Sequence, residues 1–298
     1  MSTLSLAERV VRSAWRIAPQ KTLSEIVGWG ARRTLPRPFR TMLLKSFARK
    51  YEIDLAEAEW PLDQYTNLHE LFTRKLRPGA RLVASDSDAV VAPSDGVVCD
   101  AGVVSAGKLL EAKGSVFTLS DLLADGEMAA RLEGGQYLVT YLSPRDYHRV
   151  HAPVSGRIAA WTHIPGRLFP VGSRSVAREI GLFARNERFV TFIEGAAGVS
   201  VVVMVAAVGV GHITASYDPE VATHTPGFAT GAVRRKSFAE PPRIVRGDEL
   251  GVFNLGSTTI AVFEPEHVVL EKLEVGSSLR MGSVVGRLIR QEWRHEQE

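Results

Sequence analysis

From about residue 83 onward the chain consists of short β-branched runs separated by Gly, Pro and Asp, and this texture constrains the fold more than any other feature. Runs rich in Val, Ile and Thr that end at such residues are typical of strands and turns. Six of them are VVAPSDGVV, QYLVTYLSP, RVHAPVSGRI, RFVTFI, SVVVMVAAV and STTIAVFEP. In the same region only the segments around Leu119–Leu132 and Ser175–Ile180 have helical character. The sequence therefore predicts a β-rich, sandwich-like body with few helices.

The most apolar stretch runs from Val199 to Gly211 and has the sequence VSVVVMVAAVGVG. A helix that spans a membrane needs about 20 apolar residues, so this stretch is too short. Its valines and glycines instead predict a buried strand. We therefore expect a chain that does not span a membrane.

The first part of the chain is helical in character and differs from the rest. Leu6, Val10, Ala14 and Ile17 recur at helical spacing, which predicts an amphipathic helix. Another side of this helix carries Arg9, Arg12 and Arg16.

A second amphipathic stretch follows Pro36 and Pro38. Its apolar residues are Phe39, Met42, Leu43 and Phe47. Further along, Asn67 and Glu70 form a capping pair that predicts the start of a short helix, which ends at Pro78. We therefore predict an α+β protein in two parts, a helical region of residues 1–78 and a β-rich region of residues 79–298.

The net charge of +3 is unevenly distributed. Residues 1–50 hold eleven Lys and Arg side chains against two Glu, a charge of +9 that leaves −6 on the other 248 residues. A basic amphipathic segment of this kind is typical of a membrane-surface element, a nucleic-acid contact or a solvated basic face.

The cysteine content and the N-terminus bear on the compartment. Cys99 is the single cysteine, so an internal disulfide framework is excluded and a reducing compartment is favoured. No uninterrupted apolar stretch follows the first basic residues, so we expect no secretory signal peptide.

The sequence Leu255-Gly256-Ser257-Thr258 comes just before a strand-like run. Gly and Ser are common turn residues, so in most proteins such a sequence is a turn that leads into a strand. The same residues also suit an autocatalytic site. Gly256 has no side chain that hinders attack on its carbonyl, and the Ser257 hydroxyl follows in position for an N→O acyl shift. Such a serine needs a base, and the base needs an orienting group.

Two histidines, His148 and His151, lie in the block Ser143–Pro153. Their spacing would suit a metal pair on a helix, but the flanking prolines and Val150 favour an extended chain, and no Glu completes an HExxH pattern. We therefore predict no metal site. Histidines on a strand are otherwise surface residues, unless a neighbouring group needs a base near neutral pH.

The sequence Pro93-Ser94-Asp95-Gly96 has the signature of a tight turn. A turn leaves the carboxylate of Asp95 available for a second role. One such role is to fix the tautomer of a histidine in a catalytic triad.

Together these motifs resemble the phosphatidylserine decarboxylases of the bacterial, membrane-associated type, and the resemblance covers most of the chain. It rests on the Leu-Gly-Ser-Thr motif at 255–258, the Tyr-His-Arg-Val-His block at 147–151 and the Pro-x-Asp-Gly turn at 93–96. Further matching stretches are Lys113-Gly114, His163–Phe169, Phe183–Arg188 and Arg246–Gly251.

Two features depart from the family pattern. Pro170-Val171-Gly172 stands where many relatives have Ser-Val-Asn, which puts one polar contact to the head group in doubt. His212, inside an apolar region, is also atypical, and we interpret it as a hydrogen-bonded core histidine.

The resemblance implies that Asp95, His151 and Ser257 form a triad for self-cleavage between Gly256 and Ser257. In such a reaction the Ser257 oxygen attacks the Gly256 carbonyl while backbone donors and the Thr258 hydroxyl stabilise the oxyanion. The ester that forms is then eliminated, which breaks the chain.

The products implied are a β chain of residues 1–256 and an α chain of residues 257–298 that begins with a pyruvoyl group derived from Ser257. This pyruvoyl cofactor forms a Schiff base with phosphatidylserine, which releases CO₂ and phosphatidylethanolamine. The resemblance associates His148 with decarboxylation, and we expect it to be the proton donor.

The implied substrate is a lipid, which accounts for the basic segment. Each Lys or Arg near an anionic membrane contributes about 1 kcal/mol of binding free energy. We therefore expect peripheral attachment to the cytoplasmic side of the cell membrane. The expected partners are an anionic phospholipid membrane, phosphatidylserine and the α and β chains of one precursor. A homodimer is compatible with the resemblance, and a nucleic-acid partner is not expected.

Two other classes of protein fit part of the pattern. A membrane-bound β-sandwich protein without activity would keep the fold, but the intact Gly256-Ser257 pair, Asp95 and both histidines argue against it. A conventional serine hydrolase could use the same three residues, but no Gly-x-Ser-x-Gly elbow surrounds Ser257.

Overall fold

The computed structural model describes residues 28–109, 117–169, 181–207, 212–223, 225, 228, 231–254 and 257–289. Residues 28–31 are helical. The helices with both ends described are α1 (Arg37–Lys50), α2 (Leu68–Phe72), α3 (Leu119–Leu123), α4 (Gly126–Arg131) and α5 (Leu182–Arg185), with a 3₁₀ turn at Leu62–Gln64. The strands before residue 200 are β1 (Ala89–Val91), β2 (Gly96–Val103), β3 (Lys108–Leu109), β4 (Phe117–Thr118), β5 (Gln136–Leu142), β6 (Arg149–His151), β7 (Gly156–Ile164), β8 (Arg188–Gly195) and β9 (Gly198–Ala206). The remaining strands are β10 (Ile213–Ala215), β11 (Arg234–Ser237), β12 (Arg243–Ile244), β13 (Glu249–Phe253), β14 (Ser257–Phe263), β15 (Val268–Leu270), β16 (Ser278–Leu279) and β17 (Val284–Leu288).

A nine-stranded antiparallel sheet forms the centre of the molecule. Its order is β11-β7-β8-β9-β14-β5-β2-β16, and β12 pairs with β7 as well. The predicted apolar strand is β9, which lies between β8 and β14 and is buried along almost its whole length. Val202 and Met204 pack into the core on one face of the sheet, whereas Val201 and Val203 pack into the core on the other. The prediction of a buried strand is confirmed here, and residues 208–211 of the stretch lie outside the described residues.

Different layers cover the two faces of the large sheet. On one face, the small sheets β10-β13-β6 and β1-β17-β15 supply residues such as Phe253 and Val285 to the core that contains Trp161 and Phe189. On the other face, α3, α4 and α5 supply the covering side chains, among them Leu122. The α+β prediction is confirmed, and the sandwich arrangement holds for one face only because short helices cover the other.

The N-terminal region is described from residue 28, so the predicted helix around Leu6–Ile17 lies outside the described residues. The second amphipathic stretch forms α1, which buries Leu44 in a small cluster with Tyr65 and Leu71. Apolar side chains on another side of α1 are exposed, and Phe39 and Met42 expose 60% and 65% of their surface. No helix within the described ranges is long and apolar enough to cross a bilayer.

Two helix boundaries differ from the prediction. α2 begins as expected, with the Asn67 side chain accepting from the Glu70 N–H at 2.9 Å. However, α2 ends at Phe72 and not at Pro78, because residues 75–77 run extended and hydrogen-bond to residues 57–59. The predicted segment around 119–132 is two helices, α3 and α4, which are separated at Ala124 by a left-handed backbone conformation. The segment Ser175–Ile180 lies outside the described residues.

Candidate active site

The Leu-Gly-Ser-Thr motif lies where the chain passes from a small sheet into the large one. β13 ends at Phe253, whose N–H donates to the His148 carbonyl at 2.9 Å. β14 begins at Ser257 and has strand partners on both sides, β5 and β9. Leu255 and Gly256 lie outside the described residues, so the structure describes this crossing only up to Asn254 on one side and from Ser257 on the other.

Ser257 is fully buried, and its Oγ has no hydrogen-bond partner in the described part of the chain. The same holds for Oγ1 of Thr258, which points to the opposite face because side chains alternate along a strand. A buried hydroxyl without a partner costs about 1–3 kcal/mol, so its presence calls for a functional explanation. On the face of Ser257, Thr259 Oγ1 lies 2.9 Å from Ser94 Oγ and ties β14 to the predicted turn.

The predicted turn is a bend at residues 93–95 that leads directly into β2, and the first residue of that strand, Gly96, must be glycine. Gly96 has a φ of 148°, and a Cβ atom at this position would lie 2.3 Å from the Tyr141 carbonyl oxygen. A side chain there would push β2 away from β5. The glycine therefore lets the turn lie close against the large sheet.

Asp95 is buried and makes a dense set of hydrogen bonds. Its carboxylate accepts from the Met281 N–H at 2.8 Å and from Arg81 Nε at 2.8 Å, and Arg81 Nη2 donates a second bond. Arg81 also lies 2.9 Å from Glu57. Burial lowers the pKa of Arg81, but the bonds to Asp95 and Glu57 outweigh it and raise the pKa overall. Asp95 is therefore held as one half of a buried ion pair.

His151 lies beside this turn, because its N–H donates to the Pro93 carbonyl at 2.7 Å. Its Nδ1 lies 2.8 Å from the Gly247 carbonyl oxygen, which can only accept, so Nδ1 carries the proton. Nε2 therefore accepts from the Tyr147 hydroxyl at 3.2 Å. Burial lowers the pKa of His151, and the bond to Gly247 offsets part of this effect. His151 is thus neutral, and the lone pair on its Nε2 accepts the hydrogen bond from Tyr147.

His148 is fully buried, with its ring centroid 3.9 Å from that of Phe72 in α2. Nδ1 donates to the Asp146 carbonyl at 2.8 Å, so Nε2 holds a lone pair, and no described residue hydrogen-bonds to it. Burial lowers the pKa of His148 to about 3. The side chain is therefore neutral, and its Nε2 carries no proton.

The structure brings the predicted residues into one region but does not connect Asp95 to His151 by a hydrogen bond. The Asp95 carboxylate is bound to Arg81 and Met281, whereas Nδ1 of His151 is bound to Gly247. No hydrogen bond within the described ranges joins His151 to Ser257 either. The triad stays a prediction.

Sequence reasoning missed several residues around this centre. Tyr147 was part of a motif without a role of its own, and Arg81 gave no signal because it lies outside every motif. The pair of His69 and Asn254 was missed as well, and its side chains are hydrogen-bonded at 2.6 Å. Only the position of Asn254 beside the Leu-Gly-Ser-Thr motif could have drawn attention to it.

The prediction for His212 has an outcome in the structure. His212 is hydrogen-bonded, as interpreted, since its Nδ1 donates to the Thr223 carbonyl, but it is partly buried and not a core residue. Within the described residues, no three or more His, Cys, Asp or Glu side chains cluster in a way that could hold a metal ion.

The fold and this centre define a class, namely a β-rich α+β protein with a buried serine and two neutral histidines at one end of its central sheet. Comparison with known proteins makes the assignment specific. The family model for phosphatidylserine decarboxylase matches residues 68–287. The chain belongs to the phosphatidylserine decarboxylase family.

Proteins from several bacteria are similar in sequence to this chain over nearly their whole length. A phosphatidylserine decarboxylase proenzyme of Anaeromyxobacter sp. (strain K) is 42% identical over 281 residues, which are 94% of this chain and 98% of that protein. The proenzyme of the same name from Myxococcus xanthus is 40% identical over 272 residues, 91% of this chain and 95% of that protein. Another, from Halorhodospira halophila, is 42% identical over 293 residues, 97% of each chain.

Proposed function

We propose that this chain is a phosphatidylserine decarboxylase that makes its own pyruvoyl group by cleavage between Gly256 and Ser257. The observation that carries the proposal is the Ser257 hydroxyl, which is buried at the head of β14 and has no partner among the described residues. Relatives that cover nearly the whole chain are named proenzymes, a name that fits maturation by cleavage.

Self-cleavage would use Ser257 as nucleophile and His151 as base. The Ser257 oxygen attacks the Gly256 carbonyl, and its proton passes to Nε2 of His151 once the Tyr147 hydroxyl has moved away. The C–N bond breaks as the Ser257 nitrogen takes the proton from His151, and an ester forms. Loss of the Ser257 α-proton then expels the Gly256 carboxylate and leaves dehydroalanine, which water converts to a pyruvoyl group and ammonia.

Asp95 and Gly247 have separate tasks in this proposal. The Gly247 carbonyl holds the tautomer of His151 that leaves Nε2 free to take a proton. Asp95 supplies negative charge close to His151 and favours the imidazolium that forms, an interaction that raises the pKa of His151 against the larger effect of burial. Arg81 fixes the orientation of Asp95 through two hydrogen bonds.

The residues around Ser257 fit a pyruvoyl group, because loss of the Ser257 hydroxyl would break no hydrogen bond to the described residues. A pyruvoyl group held there would supply a carbonyl that binds the substrate amine and takes up electrons during decarboxylation. In this proposal Nε2 of His148 relays a proton from water to the carbon that lost the carboxylate, while the Asp146 carbonyl holds Nδ1. Phe72 packs against the His148 ring and helps to hold its orientation.

We also propose that the protein binds the cytoplasmic face of the cell membrane through α1 and the residues around it. The exposed apolar side chains in this region are Trp29, Leu35, Phe39, Met42 and Leu43. Basic side chains lie among them in sequence, and residues 1–50 carry a charge of +9. Apolar side chains that face outward between basic ones fit a lipid surface, where the basic groups meet anionic head groups. A homodimer stays a prediction.

The intact mass of the purified protein tests the proposed maturation. Cleavage at the proposed bond yields two chains, and the smaller is lighter by one ammonia than a peptide that starts with Ser257. A single uncut chain with full decarboxylase activity would exclude the proposal. Two chains with an unmodified serine at the start of the smaller one would show cleavage without cofactor formation.

A further inference from the structure

The start of α2 is fixed by its own side chains, which gives this short helix a defined orientation. The Glu70 carboxylate accepts from the Thr66 N–H at 2.8 Å and from the Thr66 hydroxyl at 2.7 Å, while Asn67 accepts from the Glu70 N–H at 2.9 Å. The pattern differs from a capping box in that Glu70 reaches back to Thr66, the residue before the N-cap, and not to the N–H of Asn67. Held in this orientation, α2 has two residues that face the candidate active site, Phe72 toward His148 and His69 toward Asn254.

The Asn254 side chain is buried and makes hydrogen bonds on both of its sides. Its Nδ2 donates to the His212 carbonyl at 2.8 Å, and its backbone N–H donates to the same oxygen at 3.0 Å. Since Nδ2 is the donor, Oδ1 is the acceptor, and the His69 Nε2–H donates to it at 2.6 Å. Asn254 is therefore held between α2 and the residue that precedes β10.

Asn254 lies close in sequence to the proposed cleavage bond. It lies after the last residue of β13 and two residues before Gly256. On the other side of the proposed cleavage bond, Ser257 is paired with both β5 and β9. The described chain is therefore anchored on both sides of residues 255 and 256. Fixing both ends of a reacting segment removes much of the entropy cost of bringing a nucleophile onto its carbonyl.

We infer that His69 and Asn254 form a clamp, a side-chain hydrogen bond that anchors the described end of the chain before the proposed cleavage bond and thereby speeds cleavage. The inference rests on the proposed cleavage between Gly256 and Ser257. The clamp adds nothing to the register of β13, which β6 and β10 fix as far as Phe253. Its effect therefore falls on the short segment that follows, and His69 and Asn254 are positioning residues for maturation.

The test measures the rate of self-cleavage of newly synthesised full-length precursor, followed on denaturing gels. His69→Leu removes the N–H donor, and we expect cleavage to slow about tenfold, as the loss of one buried hydrogen bond allows. His69→Gln places an amide N–H near the position of Nε2 and should restore the rate to within about threefold of the wild type. Asn254→Ala removes both sides of the clamp and should be slower than His69→Leu.

A control and a second readout separate positioning from general stability. His267→Leu changes a partly buried histidine beyond the far end of β14 and should leave the cleavage rate unchanged. Thermal melting of each precursor is measured in a Ser257→Ala background, which prevents cleavage. Equal melting of the His69→Leu and His69→Gln proteins together with unequal cleavage supports the clamp.

The outcomes distinguish the clamp from the proposed maturation. If the wild type is cut at Ser257 and His69→Leu is cut at the same rate, the clamp is wrong and the maturation stands. If His69→Gln is as slow as His69→Leu, packing and not hydrogen bonding is responsible, which also overturns the clamp. A wild-type precursor that is never cut at Ser257 would overturn the cleavage site and the clamp with it.

Discussion

Replacement of His148 should separate maturation from decarboxylation. His148 is fully buried, is neutral, and donates through Nδ1 to Asp146, so its Nε2 is free to move a proton. We expect His148→Ala to be cleaved at a measurable rate and to turn over phosphatidylserine about 10²–10⁴-fold more slowly, the usual contribution of general acid–base catalysis. This loss corresponds to about 3–5 kcal/mol of activation free energy. His151→Ala, in contrast, should not be cleaved and should form no pyruvoyl group.

Replacing His148 by alanine leaves a cavity, which can lower stability as well as activity. The His148 ring packs against Phe72, so truncation to alanine leaves a space whose cost we expect to be about 2–4 kcal/mol of stability. His148→Gln fills much of that space without an imidazole and serves as the matched variant. If both variants lose activity to a similar degree while only His148→Ala melts earlier, the loss comes from chemistry and not from folding.

The assay combines three measurements on each variant. A denaturing gel gives the cleaved fraction, the mass of the small chain gives its pyruvoyl content, and CO₂ release from carboxyl-labelled phosphatidylserine in mixed micelles gives turnover per pyruvoyl group. A His148→Ala protein that is cleaved and fully active would remove His148 from the mechanism. Normal cleavage of His151→Ala would show that the assigned triad is wrong.

Three further predictions concern the nucleophile, the membrane and pH. Ser257→Ala should give one uncleaved, inactive chain, whereas Ser257→Cys should still cleave slowly because a thiol can attack the same carbonyl; normal two-chain processing of Ser257→Ala on a gel would exclude Ser257 as nucleophile. Phe39→Ser combined with Met42→Ser should weaken sedimentation with anionic liposomes without affecting cleavage. Binding of the wild type should fall as salt rises, because exposed charges are screened over about 8–10 Å. Equal binding by the variant and the wild type would refute the role of α1. The folded protein holds His148 neutral down to a pKa of about 3, against about 6.5 when unfolded, so it binds fewer protons than the unfolded chain between these values. The melting temperature of the uncleaved Ser257→Ala precursor should therefore fall as pH drops from 6.5 toward 3, and it should fall less steeply when His148→Gln is added.

The features that sequence predicted correctly are those that local pattern determines. The valine-rich stretch predicted β9 because it is too short to span a membrane and is rich in a residue that favours strands, so it must be a strand of the core. Asn67 and Glu70 predicted the start of α2 because a capping pair acts within one turn of helix. The turn at 93–96 followed from turn residues in adjacent positions.

The features that sequence did not predict depend on groups brought together by the fold. Asp95 and Arg81 lie on separate segments, and neither residue type nor spacing indicated that they pair. The acceptor for His151 is the Gly247 backbone carbonyl, and every residue has such a group, so no side-chain pattern could single it out. The end of α2 was misplaced because residues 75–77 pair with a distant segment, which overrides local helix propensity.

The place of β14 in the large sheet has a consequence for when the protein becomes reactive. All seven residues of β14 are paired on both sides, and the strand begins at the serine proposed to be converted. A chain that has not yet assembled this sheet holds an ordinary serine in an ordinary peptide bond. Folding would therefore act as the checkpoint for cofactor synthesis, and an electrophilic carbonyl would arise only inside a finished core. After cleavage, the smaller fragment would supply the middle strand and could not leave without taking the sheet apart.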